Sequence, residues 1–331
     1  MLTHTQRRLV NSFLGSFESV FVEPFLDLRS VNINPIFLVG PPRSGTTVIY
    51  RWFTYYLNQK TAYISRLADL YPDGAYFLNW FGLKMFGKKL EIQSPHTYGQ
   101  VKGMTALAEG NRLWPWCEES LDGIEKYNAR HLFDRTDYQK HKSITADVYY
   151  FLHKVIRKQC LLMNSDLLIN KSVHNTIRIL ELKQLFPTAK FIGIIRDGRD
   201  VTKSLINARI DIQGNSQNWW SVKPSNWEKC QLLPPHLSCG KQWEGLLNDM
   251  EKQFAQLSKN DFLYVHYEDF LSNPYEELER VYCHFNLKFE FSSIQKDSLK
   301  KPKDYKQFFT EQELIELNES ISNKLIQWGY N

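Results

Sequence analysis

This chain of 331 residues predicts an α/β fold with a central parallel sheet flanked by helices. Short apolar runs alternate with helical patterns through residues 35–285, which is typical of parallel strands joined by helical crossovers. Two of these runs lead directly into polar turns and then into helices, as strands do at the ligand-binding edge of such sheets. No shift in composition marks a linker, so we expect a single domain over residues 1–331 rather than two smaller ones.

An amphipathic helix is predicted within residues 1–30. Its apolar residues recur at helical spacing and would share one side of the helix. These residues are Leu9, Val10, Phe13, Leu14, Phe17, Val20, Phe21 and Phe25. Such a side usually packs on the core of its own chain, and the alternatives are a membrane surface or a partner subunit. The polar side is not especially basic, which disfavours the membrane.

The first apolar run, residues 35–39, leads into the turn Gly40-Pro41-Pro42-Arg43-Ser44-Gly45-Thr46-Thr47 and then into a predicted helix over residues 48–57. Gly40 and Gly45 have the spacing of a Walker loop, in which backbone N–H groups and a helix N-terminus surround a phosphate. Thr46 stands where a nucleotide triphosphatase has lysine, and the cation of the loop is Arg43. Because phosphoryl transfer from ATP normally uses that lysine and Mg²⁺, the loop favours a phosphate-bearing donor handled without metal, such as a phosphosulfate.

The remaining elements follow the same alternation. Strands are predicted near residues 62–65, 167–170, 190–195 and 262–267, and helices near 147–160, 175–186, 239–257 and 273–285. Residues 35–285 would form the nucleotide-binding core, and residues 286–331 a helical C-terminal tail.

A second phosphate site is predicted after the strand at residues 190–195. Arg196 lies at the carboxyl end of this strand and Ser204 on the helix that follows, so a planar cation and a hydroxyl could converge on one phosphate. The alternative is a surface turn in which Asp197 and Asp200 form ion pairs with the arginines.

These motifs together resemble the sulfotransferases that use 3′-phosphoadenosine 5′-phosphosulfate (PAPS). Residues 41–47 resemble the P-R-S-G-T-T loop of that family, and Arg196 and Ser204 have the separation of its arginine and serine that hold the 3′-phosphate. Residues 167–172 resemble the strand-end lysine segment of the tyrosylprotein and glycan branches. Residues 263–270 resemble a late strand that ends in Y-E-D-L. The resemblance covers most of the predicted core and implies a P-loop-like sulfotransferase fold.

The resemblance also implies roles for single residues. The residues that would bind the donor are Pro42, Arg43, Ser44, Gly45, Thr46 and Thr47 at the 5′-phosphosulfate, Arg196 and Ser204 at the 3′-phosphate, and Tyr267 near the nucleotide. Arg43 and Lys171 are the candidate cations for the charge that develops in sulfuryl transfer. Tyr267 could equally belong to the core, and Lys171 could be a surface lysine. No metal is expected.

The general base is not assigned by this resemblance. In the tyrosylprotein branch a glutamate soon follows the first helix, whereas here the only acid in that region is Asp69, which comes late. Glu109 is the first candidate because it lies between a glycine turn and aromatic residues. His96 is the main competitor because its ordinary pKa already suits proton transfer. The further candidates are His153, His174, Glu118 and Glu119.

Two long aromatic-rich insertions interrupt the regular alternation, at residues 71–116 and 210–236. Long insertions in compact domains are often lids or substrate walls, and aromatic faces can bind a sugar. We therefore expect the acceptor hydroxyl to belong to a carbohydrate or a glycosylated small molecule. The alternative is that these rings form a satellite core beneath the loops.

The composition narrows the function classes. A formal charge of +5 and a pI near 8.7 suit an enzyme that binds a polyanionic nucleotide, but they are too mild for a nucleic-acid partner. No apolar run reaches the length of a membrane span and the N-terminus lacks a signal-peptide core, so a cytoplasmic location is expected. The five cysteines are scattered, which indicates neither a disulfide framework nor a zinc site. The oligomeric state stays open.

Two functions compete with PAPS-dependent sulfotransfer. One is a nucleotide kinase with a degenerate loop, which would need ATP and Mg²⁺. The other is a non-catalytic relative that keeps the nucleotide pocket as an interaction module.

Overall fold

A computed structural model describes residues 4–55, 61–86, 103–114, 144–287 and 305–330. Four strands form one sheet: β1 (Asn34–Val39), β2 (Leu167–Lys171), β3 (Lys190–Ile195) and β4 (Phe262–His266). The strand order is β2-β1-β3-β4, and every neighbouring pair is parallel. The predicted α/β fold with a parallel sheet is confirmed.

The helices connect and cover these strands. In the described ranges they are α1 (His4–Phe21), α2 (Thr46–Tyr55), α3 (Arg66–Leu70), α4 (Ala75–Phe86), α5 (Ala146–Met163), α6 (Ile179–Leu185), α7 (Gly198–Gln213), α8 (Trp227–Cys230), α9 (Pro235–Phe254), α10 (Tyr267–Ser272), α11 (Pro274–His284) and α12 (Glu311–Gln327). A 3₁₀ turn, Val173–Ile177, follows β2 directly. The predicted C-terminal tail contains α12, which packs on α9 through the buried Leu317 and Ile321.

The central strands are apolar along their whole length. Ile36–Val39 of β1 and Phe191–Ile195 of β3 are buried, as is typical of parallel strands whose two faces are both covered by helices. The core therefore lies on both faces of the sheet. Because the strands are parallel, their carboxyl ends and the turns that follow them meet at one edge.

The predicted strand at residues 62–65 is shorter than expected. Ala62 forms one parallel bridge with Leu168 of β2, and Ser65 forms one antiparallel bridge with Leu107. The extended run stops there because Ser65 caps α3, its side chain accepting a hydrogen bond from the N–H of Ala68. The segment borders the sheet without adding a full strand.

The N-terminal helix packs on the protein by only part of the predicted apolar side. Its most buried residues are Asn11 and Glu18, whereas Leu9 and Phe13 are exposed. The reason is an ion pair between Glu18 and Lys158 of α5, in which both side chains are completely buried. Separating such a pair leaves an uncompensated charge inside the protein, so the pair overrides the apolar pattern of the helix.

Candidate active site

The cleft between β1 and β3 has the position of a ligand site. The connection from the carboxyl end of β1 leads to β2 on one side, and the connection from β3 leads to β4 on the other. In open α/β sheets ligands bind in the crevice at such a switch point. The predicted phosphate loop and the Arg196 turn both lie at this crevice.

Two glycines allow the loop to pack tightly against the sheet. Gly45 has a φ of +85°, and a Cβ there would lie 2.2 Å from the ring of Tyr267. A Cβ on Gly40 would lie 2.7 Å from the carbonyl oxygen of Ile194. Thr176 fixes the start of the loop, because its Oγ1 accepts from the N–H of Gly40 and donates to the Gly40 carbonyl, both at 2.9 Å.

Arg43 joins the loop to the second predicted phosphate segment. Its φ of +72° is unusual for a residue other than glycine. Its Nε donates to Ser204 Oγ at 2.9 Å, and its carbonyl oxygen accepts from Nη1 of Arg196 at 3.0 Å. Arg43 therefore lies beside Arg196 and Ser204, although it is about 150 residues away from both in sequence.

The side chain of Arg196 is held from several directions. Its guanidinium lies over the ring of Tyr267, with 4.7 Å from Cζ to the ring centroid, and 3.6 Å from Asp200 Oδ2. Its carbonyl oxygen accepts from Nε1 of Trp243 at 3.1 Å. The buried Nε of Arg196 and the buried Oγ of Ser44 have no hydrogen-bond partner within the described ranges. These polar atoms could contact a bound anion.

Two cations share this buried crevice. Burial lowers the pKa of Arg43, and the charge of Arg196 lowers it further. Burial also raises the pKa of Asp200, although Arg196 opposes that effect. An anion bound between Arg43 and Arg196 would relieve their repulsion, so the electrostatics favour a phosphate ligand.

The alternative of an ion-pair turn is partly observed, because Arg196 pairs with Asp200 and its neighbour Arg199 pairs with Asp197. Asp197 caps α7, since its side chain accepts from the backbone N–H of Arg199. It also forms an ion pair with the Arg199 side chain, with 2.7 Å between Nη2 and Oδ2. Arg199 is thus occupied by Asp197, whereas Arg196 turns toward the phosphate loop.

A second cluster lies at the carboxyl end of β2. Lys171 is buried, so it is not a surface lysine, and its Nζ donates to Oε1 of Glu109, whose side chain is one-third exposed. The backbone carbonyl of Glu109 accepts from Nε1 of Trp114 at 3.0 Å and from Nδ2 of Asn170 at 3.3 Å. The structure therefore pairs the first candidate base with the second candidate cation.

The family follows from a match that covers most of the core. Residues 35–291 match the family model described as the sulfotransferase family. The chain belongs to the sulfotransferase family. The match begins in β1 and includes the phosphate loop, Glu109, Lys171 and the Arg196 turn.

Individual relatives are distant. The protein-tyrosine sulfotransferase A of Caenorhabditis elegans is 26% identical over 114 residues, which are 34% of this chain and 26% of the relative. A second Caenorhabditis elegans protein named for the same activity is 24% identical over 170 residues, 50% of this chain and 58% of the relative. The chain thus spans between about a quarter and about three-fifths of the length of these relatives.

A solved structure confirms the fold over nearly the whole chain. The sulfotransferase STF1 of Mycobacterium tuberculosis superposes with a TM-score of 0.58 at 16% identity and covers 96% of this chain and 84% of its own. The predicted P-loop-like sulfotransferase fold is therefore confirmed.

The other loop residues lie around the same crevice. Pro42 and Ser44 are buried in the turn, and Thr46 and Thr47 begin α2, so the positive end of this helix faces the crevice. Tyr267 lies at the start of α10 and is only 7% exposed. It packs beneath the loop, between Gly45 and Arg196, and belongs to the core.

The alternative candidates for the general base lie in different parts of the molecule. His153 lies at the opposite edge of the sheet, where its Nε2 donates to the Leu185 carbonyl at 2.8 Å and burial lowers its pKa. Asp69 accepts a backbone hydrogen bond from Arg112 at 2.8 Å. His174 lies in the turn after β2 and is half-buried. The candidates His96, Glu118 and Glu119 lie outside the described residues.

The aromatic insertions contribute to the core. Trp114 of the first insertion is completely buried. In the second insertion, the carbonyl oxygens of Trp220 and Val222 accept from Nε2 of Gln242 on α9 at 3.0 and 2.8 Å, and Val222 packs on Ile177 in the turn after β2. This insertion therefore reaches the side of the site that contains Lys171.

Three supporting residues were not predicted. Thr176 and Trp243 hold the ends of β1 and β3, and nothing in their sequence context distinguishes them from core residues. Glu268 accepts from the N–H of Asp197 at 3.2 Å and from the hydroxyl of Tyr330 at 2.7 Å. Its place beside Tyr267 in the Y-E-D segment could have drawn attention to it.

Among the described residues, no group of three or more His, Cys, Asp or Glu side chains is placed to hold a metal ion. None of the helices assigned there is both long and apolar enough to cross a bilayer.

Proposed function

We propose that this protein transfers the sulfuryl group of PAPS to an acceptor hydroxyl. The observation that carries the proposal is the convergence of Arg43, Arg196 and Ser204 in the crevice between β1 and β3. Membership of the sulfotransferase family supports it. The proposed donor has two separate phosphate groups, which match the loop and the Arg196 turn as two anion sites.

The donor would be held mainly by the backbone and by arginines. The N–H groups of the loop and the start of α2 would bind the 5′-phosphosulfate, with Arg43 beside it. Arg196 and Ser204 would bind the 3′-phosphate. The free hydroxyl of Ser44 and the free Nε of Arg196 fit this assignment, because both are buried donors without a partner in the described residues.

Transfer would proceed in one in-line step. The acceptor oxygen forms a bond to sulfur and gives its proton to the carboxylate of Glu109, while the bond between sulfur and the bridging phosphate oxygen breaks. The electron pair of that bond stays on the bridging oxygen, so adenosine 3′,5′-bisphosphate leaves. Arg43 and Lys171 would stabilise the charge on this oxygen.

The ion pair between Glu109 and Lys171 would couple proton uptake by Glu109 to the stabilisation of the leaving oxygen by Lys171. Before the reaction, the carboxylate neutralises the ammonium group. When Glu109 takes up the proton, its charge disappears and the charge of Lys171 is no longer compensated. Lys171 therefore becomes a stronger electrostatic partner at the moment when the leaving oxygen gains negative charge.

For the acceptor, the favoured class is the tyrosyl hydroxyl of a peptide. The relatives named above are protein-tyrosine sulfotransferases, and this similarity supports a phenolic acceptor. The second candidate is the carbohydrate predicted from the sequence. The half-buried rings of Trp219, Trp220 and Trp227 near the acceptor side favour it.

Donor binding is tested by isothermal titration with adenosine 3′,5′-bisphosphate in EDTA, beside 5′-AMP and ATP with Mg²⁺. We expect metal-independent binding of the bisphosphate and weak binding of AMP. Arg196→Ala should weaken the bisphosphate by about ten- to a hundredfold, because a charge-assisted contact is lost. The exposed Lys252→Ala is the matched control for charge and should bind normally. Binding of ATP with Mg²⁺ but not of the bisphosphate would instead support the kinase.

The acceptor is tested with labelled PAPS and two sets of acceptors, tyrosine-containing peptides and neutral oligosaccharides. We expect label in the peptides, and none when phenylalanine replaces tyrosine in them. Label in the oligosaccharides alone would support the carbohydrate. Donor binding without transfer to either set would support the non-catalytic relative.

A further inference from the structure

The N-terminal helix α1 presents its apolar residues to solvent. Leu9, Phe13 and Phe21 have 68%, 71% and 63% of their surface exposed, whereas Glu18 has none. This is the reverse of the arrangement in an amphipathic helix that covers a core.

The orientation of α1 is fixed by buried polar contacts. Glu18 accepts from the backbone N–H groups of Tyr76 and Phe77 at 3.2 and 2.8 Å, which lie at the start of α4. Its carboxylate also pairs with Lys158, which is shared with Glu23 at 2.5 Å. Rotation of the helix to bury its phenylalanines would break all of these contacts, so the apolar side must stay outward.

Helix α4 extends the exposed apolar side of α1. Phe17 contacts Phe21 within α1 and Phe77 of α4, with ring centroids 5.2 and 5.3 Å apart. Beyond Phe77, α4 exposes four large apolar side chains: Trp80, Phe81, Met85 and Phe86. We call the combined surface of Leu9, Phe13, Phe21, Trp80, Phe81, Met85 and Phe86 the α1–α4 face. An apolar surface of this extent on one side of a protein indicates an interaction site.

Two basic residues lie beside the α1–α4 face. The only acidic residue in α1 or α4 is Glu18, which is buried and paired. The exposed Lys84 lies beside the face, with its Nζ 4.5 Å from the ring centroid of Trp80, and Arg7 lies on α1 near Leu9. The surface thus combines aromatic side chains with a positive rim.

We propose that the α1–α4 face docks on the surface of an anionic lipid bilayer. Phenylalanine and tryptophan are favoured at the boundary between headgroups and acyl chains, and lysine and arginine attract anionic headgroups. A second copy of this chain fits less well, because two such faces would bring like charges together. The proposal does not rest on the proposed transfer activity.

Vesicle flotation of the full chain tests this docking. We expect binding to vesicles of phosphatidylcholine with phosphatidylglycerol, weaker binding to phosphatidylcholine alone, and a decrease with salt. The double variant Phe13→Ser/Phe81→Ser should bind the anionic vesicles about a hundredfold more weakly, since each phenylalanine contributes roughly tenfold. Leu232→Ser/Ile326→Ser is the matched control, because these residues are 84% and 68% exposed elsewhere, and it should bind like the native protein.

Two further measurements separate the lipid from other occupants. Lys84→Glu should reduce the preference for anionic vesicles while binding to phosphatidylcholine persists. Brominated lipid should quench the native fluorescence more than that of Trp80→Phe. The proposal is overturned if the double variant floats as well as the native protein, or if neither vesicle binds. It is also overturned if light scattering shows that the native protein is a dimer without lipid and that the double variant is a monomer.

Discussion

The proposed donor side, at the phosphate loop, and the proposed acceptor side, at Glu109 and Lys171, are held by different kinds of contact. On the donor side, backbone turns decide the geometry: Gly45 and Arg43 both have positive φ, and the loop packs against Tyr267. On the acceptor side, a side-chain ion pair between Glu109 and Lys171 decides it. Turns at strand ends tolerate little change in sequence, whereas an ion pair can be supplied from many places in a chain. The donor side is therefore the easier half to recognise, and the acceptor side is where relatives can differ.

Substitution of Glu109 should show the largest difference between the two sides of the site. We expect Glu109→Gln to lower kcat by about 10²- to 10⁴-fold, because the acceptor proton loses its base. The bisphosphate should still bind within about twofold, since the donor side does not depend on Glu109. Steady-state transfer and calorimetry measure the two quantities, and the exposed Glu228→Gln serves as the control. Nearly native turnover in Glu109→Gln would move the base to another residue, with His96 first.

Arg43 tests whether the donor side also takes part in the chemistry. Arg43→Ala should lower kcat by about 10²- to 10³-fold if the guanidinium mainly stabilises charge that develops during transfer. The affinity for the bisphosphate should fall much less. Single-turnover kinetics beside calorimetry separates the two effects, with Arg280→Ala, on the exposed side of α11, as the control. A loss of affinity with unchanged kcat would make Arg43 a binding residue only.

Gly45 tests how far the tight packing of the loop on Tyr267 stabilises the fold. Gly45→Ala should lower the free energy of unfolding by about 1–3 kcal/mol, because the φ of +85° is strained for alanine and the new Cβ meets Tyr267. Gly214 is a matched control, since it has a φ of +73° and no heavy atom within 4 Å of an added Cβ. Urea unfolding should show a smaller loss in Gly214→Ala. Equal losses would mean that packing on Tyr267 is unimportant.

The smallest expected effect concerns Asp200, the acid nearest to Arg196. Burial raises its pKa above the ordinary 3.8, so the protonated form is favoured in the folded state. Its stabilising contribution is therefore complete below that value and is lost as the pH rises through the folded-state pKa. Asp200→Asn should gain up to about 1 kcal/mol over the native protein at neutral pH and nothing in acid.

Urea unfolding at several pH values measures this difference. The exposed Asp211→Asn on the same helix is the control and should show no such gain. A loss of stability in Asp200→Asn at neutral pH would show that the ion pair with Arg196 outweighs burial.

The sequence predicts well those elements whose structure depends on residues that are close together in the chain. The strands around Phe37 and Ile192 are continuous apolar runs, and the loop between Gly40 and Gly45 is fixed by its own glycines. Arg196 and Ser204 lie on one strand end and one helix, so their spacing already implies convergence. These predictions needed no knowledge of distant contacts.

The remaining features depend on partners that are distant in sequence. The side of α1 that turns inward is decided by Lys158, and no local pattern reveals that Glu18 will be buried. The pairing of Glu109 with Lys171 likewise needs the bridge between Leu107 and Ser65, whose segment borders β2 at Ala62. The strand at residues 62–65 was predicted too long because the capping by Ser65 competes with its β propensity. His96 stays a candidate from sequence alone.

The position of β1 has a consequence for synthesis of the chain. Asn34 pairs with Leu167 and Ile36 pairs with Lys190, so the central strand has no neighbour when it leaves the ribosome. At a synthesis rate of about 5–20 residues per second, β1 waits on the order of ten seconds until its first neighbour, β2, has been made. Such non-local pairing is slow and exposes apolar residues to aggregation. The proposed donor site includes Tyr267 as well, so the nucleotide would stabilise only a chain that has been made beyond that residue.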